Sequence, residues 1–102
     1  MKVHYTVLAE RDLDEVAEYT RVMWGEAQRD AYIDMLQHTC ESIIPAHRQI
    51  AKPVAKRPGL WRWRAEHHYV YFREVEDGIE VVRVWLLYTS PRPRDRTRTR
   101  MP

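Results

Sequence analysis

Glycine, phenylalanine and cysteine are scarce in this chain of 102 residues, with three, one and one copies. Three scattered glycines cannot build a glycine-rich phosphate loop, and no cysteine or histidine spacing suits zinc. Neither a cofactor nor a metal is expected. The lone Cys40 cannot close an internal disulfide, which suits a reducing cytoplasm and a role in core packing. No apolar run exceeds the five residues from Val84 to Tyr88, far below the ~20 that a membrane-spanning helix needs. A charged-then-apolar leader is also missing, so neither a membrane partner nor export is expected. At 44% apolar residues the chain can fill one modest core.

Acidic residues vanish from one segment. Residues 46 to 64 hold six lysines or arginines and no acid, whereas residues 1 to 45 hold four basic and nine acidic side chains. The net charge of +2 hides this segregation. A basic block between acidic segments can attract an anionic partner locally, although a solvated loop explains the same composition.

Periodicity assigns the elements. Residues 3 to 8, VHYTVL, read as a strand. Leu13, Val16, Ala17, Thr20 and Trp24 fall on one helical stripe, with Asp12 as the expected N-cap, Glu15 completing it, and Gly25 as the stop. Trp24 is expected to anchor that helix end against a second helix. Tyr32, Met35, Leu36, Thr39 and Ile43 form the stripe of this second helix, which Pro45 is expected to close. Beyond Pro58-Gly59 the period becomes two. Trp61 and Trp63 alternate with Arg62 and Arg64, then Val70 and Phe72 with Tyr69 and Tyr71. Asp77-Gly78 marks a turn before a third, more apolar strand over 79 to 87.

The expected fold is α+β in the order β-α-α-β-β-β, with a helical hairpin packed on one face of a small, largely antiparallel sheet. Trp61 and Trp63 should then face the helices, and Arg62 and Arg64 the opposite side. His67 and His68, being adjacent on a strand, should point to opposite faces, which argues against joint metal binding or a shared acid–base pair.

Three stretches carry a family resemblance. AERDLDEVAEYTRVMWGEAQRDAYIDML, residues 9 to 36, resembles the opening of the ParE branch of the RelE/ParE toxins of bacterial toxin–antitoxin pairs. PGLWRWRAEHHYVYFR, residues 58 to 73, is similar to that family's Pro-Gly-Leu, basic strand and His-x-x-x-aromatic-Arg segment, with His68 at the histidine. DGIEVVRV, residues 77 to 84, resembles its last strand. The family's subsequent Leu-His and Met-Asp pairs are absent. From residue 86 onward the chain resembles a translated sequencing-library adapter, so residues 1 to 88 are expected to form the toxin domain, and 89 to 102 a disordered, non-native basic tail.

The resemblance implies a cytoplasmic toxin that inhibits DNA gyrase and is neutralised by a ParD-like antitoxin, with no specific DNA binding of its own. Partner contacts are then expected at Arg57, Arg62, Arg64, His68 and Arg73. The RelE branch implies another activity, ribosome-dependent cleavage of messenger RNA. That chemistry needs a base, an acid and fixed positive charge at the phosphate. Lys52, Lys56, Arg57, Arg62 and Arg64 could supply the charge, and His67, His68 or Tyr88 could move protons. A third possibility is a fragment left inactive by its altered end.

Overall fold

In the computed structural model, which describes residues 1–86, a helical layer covers one face of a five-stranded sheet. The elements are β1 (Lys2–Tyr5), α1 (Val7–Trp24), α2 (Glu26–His38), a π turn (Thr39–Ile43), α3 (Ile44–His47), a 3-10 turn (Arg48–Ile50), β2 (Lys52–Pro53), β3 (Trp61–Ala65), β4 (His68–Val75) and β5 (Gly78–Leu86). The strand order is β1-β5-β4-β3-β2. β2 to β5 pair antiparallel, and β1 returns to pair parallel with β5. The α+β class and the helical hairpin agree with the sequence; the extra strand β2 was not foreseen.

Several boundaries differ for local reasons. The N-cap of α1 is Thr6, whose hydroxyl accepts the Ala9 amide at 3.0 Å. Thr6 also donates from that hydroxyl to the Val82 carbonyl at 2.8 Å, tying the helix start to β5. Asp12, the expected cap, lies a turn and a half inside the helix. Gly25 does end α1, and at φ 98° it occupies a left-handed backbone region open to glycine. It also begins α2, so the hairpin turns on one residue. Pro45 does not stop the second helix. The π turn ahead of it shifts the hydrogen bonding, with the Ile44 amide reaching the Thr39 carbonyl, and the chain passes the proline into α3.

The core lies between the helices and one sheet face. Phe72, Leu36, Ile44, Ile79, Val70, Val81 and Cys40 are fully buried there. Burial also pushes the Cys40 thiol up to about 12, as fits a packing residue. Leu13, Trp61 and Trp63 pack partly buried against this cluster. Trp24 does not: it is 69% exposed at the end of α1. Gly78 faces Lys2 in the parallel ladder, where a Cβ would overlap the Lys2 carbonyl.

Alternation breaks once in β5. Ile79 and Val81 face the core, and strict period two would send Arg83 and Trp85 after them. A bulge at Val82 resets the phase: Phe72 pairs with Val81, but Tyr71 pairs with Arg83. Val84 now turns inward, and Arg83 and Trp85 line up opposite Tyr71 and Tyr69. Bulges re-aim side chains in this way, and here one spares the fold a buried guanidinium.

Candidate functional site: a basic and aromatic open sheet face

The strands β2 to β5 position two cross-strand rows on the face away from the helices. One row reads Lys52, Arg62, Tyr71, Arg83, and the next Arg64, Tyr69, Trp85. Paired residues on neighbouring strands share a face, so each row presents its side chains together. The Arg62 guanidinium sits 4.8 Å over the Tyr69 ring, and that of Arg83 lies 4.8 Å over Trp85. Tyr71 meets Trp85 edge-on with ring centroids 5.2 Å apart. A cleft of about 360 Å³ opens at one end, lined by Ile50, Lys52, Arg62, Arg64 and Tyr69 among others.

The cations of this face differ in what they are bonded to. Arg83 is held by Asp12, with Nε to Oδ2 at 2.8 Å and Nη2 to Oδ1 at 3.1 Å. Asp12 Oδ2 also accepts the Val84 amide at 2.9 Å. One carboxylate on α1 thus closes the part of β5 that has run past its partner β1, and aims Arg83 at Trp85. Arg73 is bonded to Glu80 at 2.7 Å. Among the described residues Lys52, Arg62 and Arg64 have no carboxylate partner. Among the described residues Arg64 donates a hydrogen bond only to the Glu66 carbonyl, at 3.4 Å.

The residues singled out in the sequence therefore fall into separate places. Lys52, Arg62 and Arg64 come together. Lys56 and Arg57 stand exposed in the loop between β2 and β3, and Arg73 is engaged with Glu80 further along β4. His68 is on the other side of the sheet, 7% exposed, beneath the helices. Tyr88 lies outside the described residues. Alternation set Tyr69 and Tyr71 opposite Val70 and Phe72, but only the strand register brings them to the arginine face, and Arg83 and Trp85 join it through the bulge.

On the helix side, Tyr32 accepts the His67 amide at 3.2 Å, and its hydroxyl lies 2.6 Å from His68 Nδ1. Having accepted one hydrogen bond, the hydroxyl can donate its proton to Nδ1 of a neutral imidazole. Burial, with the neighbouring His67, lowers the His68 pKa to about 4, so the ring is neutral at pH 7. Burial also raises the Tyr32 pKa. Beside this pair runs a groove of about 810 Å³ that includes Tyr19, Trp24, Tyr32, Met35 and His68. The end of α1 exposes Tyr19, Val22, Met23 and Trp24, each more than half accessible. Chemically, one face offers fixed positive charge and aromatic edges, the other an apolar groove and a neutral, bonded histidine.

Residues 3–86 match the family described as the ParE toxin of the type II toxin–antitoxin system, parDE. A 66-residue stretch is 35% identical to Toxin ParE of Escherichia coli, covering 65% of this chain and 64% of that protein. The matched stretch thus spans under two thirds of that relative's length. The fold is similar to a chain of the chromosomal ParDE system of P. aeruginosa, with a TM-score of 0.74 and 19% identity over 85% of this chain and 96% of that one. It is also similar to a chain of the toxin–antitoxin complex RelBE2 of Mycobacterium tuberculosis, with a TM-score of 0.62 and 15% identity over 83% and 95% of the two chains. By the family match across nearly all its described residues, and with a strand, helical hairpin and mixed sheet in the matching order, the chain belongs to the ParE toxins of type II toxin–antitoxin systems, within the RelE/ParE superfamily.

Proposed function

We propose that this protein arrests bacterial growth from within the cytoplasm by binding and inhibiting DNA gyrase, as part of a plasmid-stabilising pair, and that a cognate ParD-like antitoxin neutralises it. The observation that carries the reading is the separation of His68 from the arginines. A ribonuclease built from Lys52, Lys56, Arg57, Arg62, Arg64 and His68 needs the imidazole beside the charged phosphate site. His68 instead lies under the helices, bonded to Tyr32, while Arg62 and Arg64 point the other way. The arrangement favours recognition over chemistry.

The exposed apolar end of α1 and the adjoining groove suit an antitoxin segment that folds as it binds across the hairpin. The test is a DNA supercoiling assay with purified gyrase, paired with induction in cells. Gyrase inhibition and DNA-damage signalling, both reversed by the antitoxin, are the expected results. Immediate translation arrest with cut messages would replace this reading with the ribonuclease, and neither response would mark an inactive chain.

A further inference from the structure

Lys52 and Arg62 stand directly opposite each other on β2 and β3. Like charges in such a pair repel, and no carboxylate among the described residues offsets them. Arg64, two residues along the same strand face, adds a third cation of the same kind. Next to this basic half lies an aromatic half, Tyr69, Tyr71 and Trp85, with Trp85 46% exposed. Arginine, tyrosine and tryptophan are the residues most enriched where protein partners bind tightly.

We infer that the open sheet face is a two-part dock for a protein segment that carries carboxylates at one end, for Lys52, Arg62 and Arg64, and apolar side chains at the other, for Tyr71 and Trp85. This rests on the reading that the protein acts by binding other proteins, and it adds the chemistry of what is bound. Arg62 and Arg64 are separated by about 7 Å along the strand, the spacing of two carboxylates in an extended Glu-x-Glu segment. A bidentate guanidinium–carboxylate pair would form at each.

Two observations favour a protein segment over a nucleic acid strand. The Tyr69 and Trp85 rings already carry guanidinium groups on their faces, and Tyr71 meets Trp85 edge-on. Base stacking, which supplies much of single-strand binding, finds little open ring there. Residues 1–86 also hold 12 basic against 14 acidic side chains. A long polyanion is repelled by the acidic helices, whereas a short acidic segment feels mainly the local patch.

The experiment uses the full chain and a capped synthetic peptide with Glu-Ser-Glu followed by Leu-Ser-Leu. Binding is followed by NMR at the Arg62 and Arg64 Nε–H groups and the Trp85 indole. The peptide is expected to shift all three signals. Arg62→Gln with Arg64→Gln should weaken it by about tenfold, and replacing both glutamates by glutamine should do the same. Trp85→Leu should weaken it through the apolar end without changing its salt dependence. No peptide binding, equal binding of the glutamine peptide, or shifts confined to the helix side would overturn the inference. So would tighter binding of oligothymidine, which makes the face a nucleic-acid site, or equal binding of inorganic phosphate, which makes it a free-anion site. Gyrase inhibition is scored separately: its absence with peptide binding intact sinks the gyrase reading alone, and the converse result sinks the dock alone.

Discussion

On β3 and β4, neighbouring residues live in opposite environments. Val70 and Phe72 have no exposed surface, while Tyr69 and Tyr71 beside them are half-buried on a face without helices. Trp61 and Trp63 pack on the core, while Arg62 and Arg64 extend away from it. Polar groups on the covered side have partners close at hand, as His68 has Tyr32. The open face instead keeps three cations without a carboxylate among the described residues. Burial makes an unpaired polar group costly, whereas solvent lets a charge wait for a partner. Stability should therefore reside on one side of the sheet and recognition on the other.

The largest test of that division is Phe72→Ala, expected to cost about 4 kcal/mol in denaturant unfolding through the cavity it leaves. Tyr71→Ala, one residue away, should cost well under half as much. Equal losses would erase the distinction between the faces.

Acid should act through the covered side. The folded state holds His68 near a pKa of about 4 against 6.5 for the free group, so between these values the unfolded chain binds the extra proton. Stability contributed by keeping the ring neutral is thus intact above pH 6.5 and falls as pH drops toward 4, by up to about 3 kcal/mol. His68→Gln should flatten this part of the stability–pH curve; an unchanged slope would show that other groups cause it.

Asp12→Ala is expected to lose about 2 kcal/mol, because it strips the buried Val84 amide and Arg83 of their acceptor. Thermal unfolding would measure it, and a faster amide exchange at Val84 would locate the damage. Tyr32→Phe should cost about 1 kcal/mol, with faster exchange at the His67 amide.

The smallest change in stability should come from Arg62→Glu with Arg64→Glu, within about 0.5 kcal/mol of the unaltered protein. Affinity for the antitoxin, or growth arrest, should nevertheless fall about tenfold. A variant that unfolds, or one that keeps full affinity and toxicity, would place the recognition surface elsewhere.

Much of this plan was legible from local patterns. The two helical stripes and the alternation from Trp61 to Phe72 gave the order of elements and sorted arginines from tryptophans, because those periods reflect one covered face. Strand β2 escaped notice since it has two residues, one of them proline. Asp12 resembled a cap because its neighbours fit the motif, but its partners Arg83 and Val84 lie 71 and 72 residues away. Trp24 was expected to be packed because it ends a helix just before Gly25, and nothing local reveals that the chain turns there with the residue left 69% exposed.

Sequence by itself determined which residues could be buried, since hydrophobic spacing is a property of the chain and of the geometry of helices and strands. It also determined that the basic block would be acid-free. Tertiary structure decided which cations remain available: Asp12 takes Arg83, Glu80 takes Arg73, and Lys52, Arg62 and Arg64 are left without a carboxylate among the described residues. It decided too that the bulge at Val82 would bring Arg83 and Trp85 to the arginine face. Such choices depend on contacts between segments far apart in the chain, where the cost of burying a charge is weighed against every partner the fold brings within reach.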